Sequence, residues 1–126
     1  AAAAVNLGTG LLRTGQSAAA ANVLGRANGI YPDNFSIAVN YAVALLAENQ
    51  PAAALPVLKK LPEPDEPGKK LTWFFTIGEC HRLAGRPSAA LSAYRQAEPY
   101  AVTTVQRQNL QHCIDMVTSS HPNNRH

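Results

Sequence analysis

Aromatic residues, cysteine and net charge are all scarce in this sequence, and each scarcity excludes something. Aromatics are 6% of residues beside a hydrophobic total of 46% that is heavy in alanine. That balance suits small side chains between closely packed helices rather than an aromatic-rich β core. The two cysteines, Cys80 and Cys113, are too few for a disulfide framework, and their spacing matches no zinc module. No apolar run reaches about 18 residues, so no membrane span is expected. The alanine-rich start lacks the charged region that opens a secretion signal. Eleven basic against eight acidic side chains give +3. The basic ones are scattered from Arg13 to Arg125, not gathered into the stripe that nucleic acid requires, so no nucleic-acid partner is expected. The lack of an initiator methionine suggests a fragment or a processed chain.

At 126 residues the chain is one domain's worth. Its most informative feature is a repeat. Ala4-x-x-Leu7-Gly8-x-x-Leu11, then Ala20-x-x-x-Leu24, with Ala27 and Pro32 behind them, is echoed by Ala38-x-x-Tyr41-Ala42-x-x-Leu45 and Ala54-x-x-x-Leu58. A third copy reads Phe74-x-x-Ile77-Gly78-x-x-His81, then Ala90-x-x-x-Tyr94 and Ala97. Gly8 to Ala42 is 34 residues and Ala42 to Gly78 is 36, the extra two falling in the connection 62–70.

The glycines of residues 6–16, NLGTGLLRTGQ, are explained by this register. A dinucleotide-binding fingerprint would need glycine where Arg13 stands, and a phosphate loop would need Lys-Ser/Thr where Gln16-Ser17 stands. Gly8, Ala42 and Gly78 instead share one position, where a missing or minimal side chain lets a partner helix approach closely. Gly15, Asn49 and Gly85 share another, and these residue types accept the left-handed conformation at a helix C-terminus. Gly10 has no counterpart in the other copies.

The caps then predict helices over about 2–14, 17–30, 34–48, 51–61, 70–84 and 87–98. Pro51 and Pro87 open second helices, where a missing N–H is harmless, whereas Pro56 lies deeper and is expected to kink its helix or raise a 3₁₀ turn. Residues 61–70, LPEPDEPGKK, read as loop, with Lys59-Lys60 and Lys69-Lys70 as a solvated rim. Thr103-Thr104-Val105-Gln106 reads as a capping box opening a helix to about 119. Val105, Cys113, Ile114 and Val117 lie on one side of it, and Gln106, Arg107, Gln108, Gln111 and Asp115 on the other. That suits a terminal helix that covers the last repeat and faces water. Residues 120–126 read as a flexible tail.

The period, the small residues at fixed places and Pro32 resemble the tetratricopeptide repeat, a 34-residue pair of antiparallel helices. The resemblance covers about residues 1–104, as repeats at about 1–34, 35–70 and 71–104, with a capping helix at about 104–119. The family's tryptophan and tyrosine are replaced by Ala4 and Leu11 in the first copy, by Ala38 and Leu45 in the second, and His81 takes the tyrosine place in the third. It implies an all-α fold, a right-handed superhelical stack of hairpins with about seven helices in a single domain over 1–119. It also implies a non-catalytic protein-interaction module. Residues 31–61 further resemble the repeat region of bacterial M48-type zinc metalloproteases, which would make the chain a docking or regulatory region whose catalytic domain lies elsewhere. Under that reading the compartment would be the bacterial periplasm or cell envelope, and otherwise the cytoplasm.

In such stacks the first helix of each repeat faces the concave side, where peptides lie. That register holds Val5, Asn6, Thr9 and Arg13, then Val39, Asn40 and Val43, then Phe75, Thr76, Glu79 and Arg82. The valines and Phe75 would take apolar side chains, and the amides of Asn6 and Asn40 would pair with a peptide backbone. Family members that clamp acidic chaperone C-termini carry lysine or arginine where this chain has Val5, Thr9, Val43, Thr72 and Thr76, so that ligand is not implied. Phe74 reads as core, and Trp73 either covers the preceding connection or is exposed for binding. Cys80-His81 with His112-Cys113 is the one tempting metal set. Adjacent residues on a helix point about 100° apart, so one pair can hardly serve one ion, and the cysteines read as packed small residues. There is no HExxH, no GxSxG and no carboxylate pair in a recognisable catalytic setting, so no catalytic residue, metal site or cofactor is read. The expected partner is a protein or peptide, with self-association through the exposed ends of the stack as a further reading.

Overall fold

The computed structural model describes residues 1–119, so the expected tail at 120–126 lies outside the described residues. Seven α-helices follow in order, α1 (Ala2–Arg13), α2 (Ser17–Ile30), α3 (Phe35–Ala47), α4 (Pro51–Lys59), α5 (Pro67–Leu83), α6 (Pro87–Ala97) and α7 (Thr104–Ser119). A 3₁₀ turn, Glu98–Tyr100, follows α6, and the described residues include no strand. The fold is the expected all-α set of helical hairpins. Its contacts gather into two compact units, residues 1–62 and the remainder from Glu63.

In the first unit, α1 pairs with α2 and α3 with α4, while α2 and α1 also contact α3. Gly8 is where α1 meets α2: a Cβ there would stand 2.6 Å from Leu24 Cγ, inside any real contact. Ala20, Leu24 and Ala44 form a core cluster, with Leu11, Leu12, Ala21 and Tyr41 packed against it. In the second unit α5 pairs with α6, and α7 covers α6. A Cβ on Gly78 would stand 2.5 Å from Tyr94 Cε1. Sixteen residues separate glycine from partner in both hairpins, and the same offset from Ala42 reaches Leu58, both fully buried.

All three first helices end the same way. Gly15, Asn49 and Gly85 have φ of 79°, 57° and 77°. The following amides, Gln16, Gln50 and Arg86, bond back to the carbonyls of Leu11, Leu45 and His81 at 2.8, 2.8 and 2.9 Å. This is the Schellman closure, which satisfies carbonyls left over at a helix end. The carbonyls of those same three residues then accept from Ala20, Ala54 and Ala90, which starts each second helix one residue later. At α7 the capping box forms as expected, with Gln106 N–H donating to Thr103 Oγ1 at 3.0 Å and Thr103 N–H to Gln106 Oε1 at 3.1 Å.

Three expectations need correction. Residues 67–70 are not loop but the first turn of α5. Pro67 sits at its first position, where the missing N–H breaks no bond, and Lys69 and Lys70 reach back to Glu66 and Glu63 at 3.5 and 3.2 Å. Val105 is 65% exposed, so it does not join the buried side of α7, and Leu110 takes that place beside Ile114 and Val117. Finally, α4 ends at Lys59, short of the expected 61, and of the two outcomes expected at Pro56 the 3₁₀ turn does not form.

Candidate functional site

The candidate residues on first helices divide between the two units. In the first, Val5 and Thr9 are half-buried and Asn6 and Arg13 exposed on α1. On α3, Asn40 is half-buried and Val43 39% exposed, but Val39 is only 8% exposed and belongs to the core. Asn40 spends its amide on its own helix, Nδ2 donating to the Ser36 carbonyl at 2.8 Å, which leaves its Oδ1 available. Between the start of α1 and the start of α3 lies an open pocket of about 370 Å³, lined by Ala1, Ala2, Val5, Asn6, Asn34 and Ser36. Asn34 is held in place by capping α3, its Oδ1 accepting from the Ile37 amide at 3.0 Å.

In the second unit, a cleft of about 190 Å³ lies between α5 and α7. Leu71, Phe75 and Leu110 are apolar in its lining, and Thr72, Gln106 and Asn109 polar. Phe75 packs against Tyr94 with ring centroids 5.8 Å apart, so its ring is fixed. The two hollows share a register: 70 residues, the sum of the two repeat lengths, carry Ala1, Ala2, Val5 and Ser36 onto Leu71, Thr72, Phe75 and Gln106. Each unit therefore repeats one hollow between consecutive first helices. Sequence reasoning reached Val5, Asn6 and Phe75. It missed Asn34, Ser36, Leu71, Asn109 and Leu110, and placed Gln106 only on the water side of a cap. The signal was present in the repeat offset, which makes α7 the counterpart of a first helix.

Residues 11–68 match the tetratricopeptide repeat family. That stretch carries the tetratricopeptide-repeat pattern. The matched stretch takes in α2, α3 and α4 whole, together with the two Schellman closures at Gly15 and Asn49. No curated protein matches the chain significantly. Tetratricopeptide repeats mediate protein–protein interactions. Among the described residues, no helix is long and apolar enough to cross a membrane.

Among the described residues, the third hairpin, α5 with α6, contains a polar network that the first two lack. Where those place Leu24 and Leu58, the third has Tyr94, fully buried, whose hydroxyl donates to Glu79 Oε1. Arg82 clasps the same carboxylate twice, Nη2 to Oε2 at 2.7 Å and Nε to Oε1 at 3.3 Å, and the Cys113 thiol lies close by. Burial pushes the Glu79 carboxyl upward, but the hydrogen bonds from Arg82 and Tyr94 and the charge of Arg82 outweigh it and hold its pKa below the usual value. Glu79 and Arg82 thus neutralise each other instead of offering free charges to a ligand. Thr76 is 5% exposed and donates to the Thr72 carbonyl at 2.6 Å, so it too is core.

The remaining candidates are structural. Trp73 is 8% exposed and meets Phe74 edge-on, which excludes the exposed role for it. Phe74 stacks on Tyr100 at 6.4 Å. Cys80 and Cys113 are free thiols. Burial and the nearby Glu79 charge push Cys80 up to about 11 and raise Cys113 as well, which favours the protonated thiol at neutral pH. His81 accepts from Arg86 Nε at 3.2 Å. Among the described residues no three His, Cys, Asp or Glu side chains gather closely enough to hold a metal ion.

Proposed function

We propose that this domain binds extended peptide segments of a partner protein on its first helices, the hollow of each unit seating one apolar ligand side chain. The reading rests on one observation: the same hollow recurs 70 residues apart, with an apolar residue at the same place, Val5 and Phe75, and amide-bearing residues beside it, Asn6 and Asn34 or Gln106 and Asn109. A side chain entering such a hollow leaves water at about 25 cal/mol per Å², and the rim amides take up the flanking peptide N–H and C=O groups. In the first unit Thr9, Arg13, Asn40 and Val43 lie further along α1 and α3, and Val39 is core; in the second unit Thr76 is core and Glu79 and Arg82 are paired with each other.

The test uses peptides selected from a displayed random library on the intact protein. Asn6→Trp and Asn109→Trp fill the hollows from exposed positions and should leave helicity and melting unchanged. Each is expected to weaken the selected peptides at least about tenfold, the loss of roughly 1.4 kcal/mol, whereas Ser92→Trp on the exposed side of α6 should not. Peptides indifferent to both hollow-filling variants would refute the assignment. The resemblance of residues 31–61 to the repeat region of M48-type metalloproteases supplies a setting for the same face, docking for a catalytic domain. An HExxH segment in the same polypeptide is the observation that would support it.

A further inference from the structure

Within the first unit, α3 is seated on α2 by a row of residues one helical turn apart. Ala44 is fully buried in a cluster with Ala20 and Leu24 of α2. The Tyr41 ring closes over Gly25, where a Cβ would stand 3.1 Å from its Cε1. At the end of the row, Glu48 accepts a hydrogen bond from the Ser17 hydroxyl at the start of α2. Ile37, fully buried, begins the row. Shifted by the 34-residue period, Ile37, Tyr41, Ala44 and Glu48 become Ala3, Leu7, Gly10 and Thr14 of α1.

That α1 row has no helix on it. Leu7 is 54% exposed, Ala3 and Thr14 are exposed, and a Cβ on Gly10 would meet nothing within 4 Å. Yet three of its four places match the covered row in kind, Leu7 a large apolar residue like Tyr41, Gly10 a small one like Ala44 and Thr14 a hydrogen-bonding one like Glu48, while Ala3 stands where the covered row has Ile37. The α1 residues that face its own unit are different ones, Gly8 against Leu24 and Leu11 and Leu12 against the core cluster. Gly10, which the hairpin within the repeat leaves unexplained, falls at the place where Ala44 comes close to α2.

We propose that the row Ala3, Leu7, Gly10 and Thr14 is a docking face for the second helix of a further hairpin of the same kind, stacked on α1 as α2 is stacked on α3 and joined to it by chain. The α2–α3 interface specifies the occupant: a helix with a small residue opposite Leu7, as Gly25 is opposite Tyr41, and apolar residues opposite Gly10. In linear repeats stability is close to a sum of units and nearest-neighbour interfaces, so one added hairpin that fits should be read directly as added stability.

The experiment joins a duplicate of residues 1–34 ahead of Ala1, preserving the period, and compares the extended and original chains with and without Leu7→Glu at the original Leu7. The extended chain should melt higher by at least about 5 °C and slow hydrogen exchange along α1. Leu7→Glu should leave the original chain within about 2 °C of its own melting point, as expected at an exposed site, and remove most of the gain from the extended one. An extended chain that melts no higher, or a substitution that shifts both chains equally, would overturn the assignment. Dimerisation of the original chain that Leu7→Glu abolishes would also overturn it, because the row would then belong to a second copy.

Discussion

Two glycines two positions apart in α1 should respond to alanine in opposite directions. Gly8 faces α2, and an added Cβ would lie 2.6 to 2.7 Å from Cγ, Cδ1 and Cδ2 of Leu24 at once. Leu24 is fully buried, so its isopropyl group has no empty space to retreat into. Overpacking of this kind costs about 1–3 kcal/mol, offset by about 1 kcal/mol from replacing glycine by alanine within a helix. Gly8→Ala should therefore lose up to about 2 kcal/mol on those two figures. Gly10 sits in the same helix with open space around it, so Gly10→Ala keeps only the favourable part, up to about 1 kcal/mol. For a domain of this size 1 kcal/mol moves the melting temperature by about 4 °C, so thermal denaturation followed by circular dichroism should separate the two variants by about 4–12 °C. A double-mutant cycle with Leu24→Ala should show Gly8→Ala becoming less harmful once the clash is gone. Equal shifts for Gly8→Ala and Gly10→Ala, or a gain at Gly8, would refute the claim that the missing side chain sets the α1–α2 distance.

Glu79 has a lowered folded-state pKa, so the stability it contributes is present above the unfolded value near 4.5 and is lost as pH falls through the folded one. Glu79→Gln should cost about 1–3 kcal/mol at neutral pH and flatten the loss of stability below pH 4.5, which urea denaturation from pH 7 to 3 would read; an unchanged acid limb would place that loss elsewhere. With Cys80 fully buried and both thiols raised, a disulfide reagent at pH 8 should modify Cys113 slowly and Cys80 only after unfolding, and rapid reaction of both in the native protein would contradict the packing described here.

How much was legible in the sequence depended on whether a feature is local or shared. The three Schellman closures were readable because Gly15, Asn49 and Gly85 adopt φ values that few other residues accept, and the capping box because Thr103 and Gln106 satisfy each other within one turn. The close approaches at Gly8 and Gly78 were readable because the repeat placed them in one register. The start of α5 was misread because a run of proline and acid looks like loop until Lys69 and Lys70 fold back onto Glu66 and Glu63. Val39 and Thr76 were placed on the binding face because a helical register fixes a direction to within about 100° per residue, which does not separate the rim of a hollow from its floor.

Composition, period and helix-end chemistry by themselves determined that this chain forms hairpins of a set length joined in a set way, since each of those choices is made by the backbone within a few residues. Which side chains meet was decided only in three dimensions. The pairing of Glu79 with Arg82 lies within one helix, but its burial under Tyr94 and Cys113 needs α5, α6 and α7 together. The hollow beside Phe75 exists because α7 brings Gln106, Asn109 and Leu110 to it. Such groups are neighbours through packing, whose distances no single helix encodes.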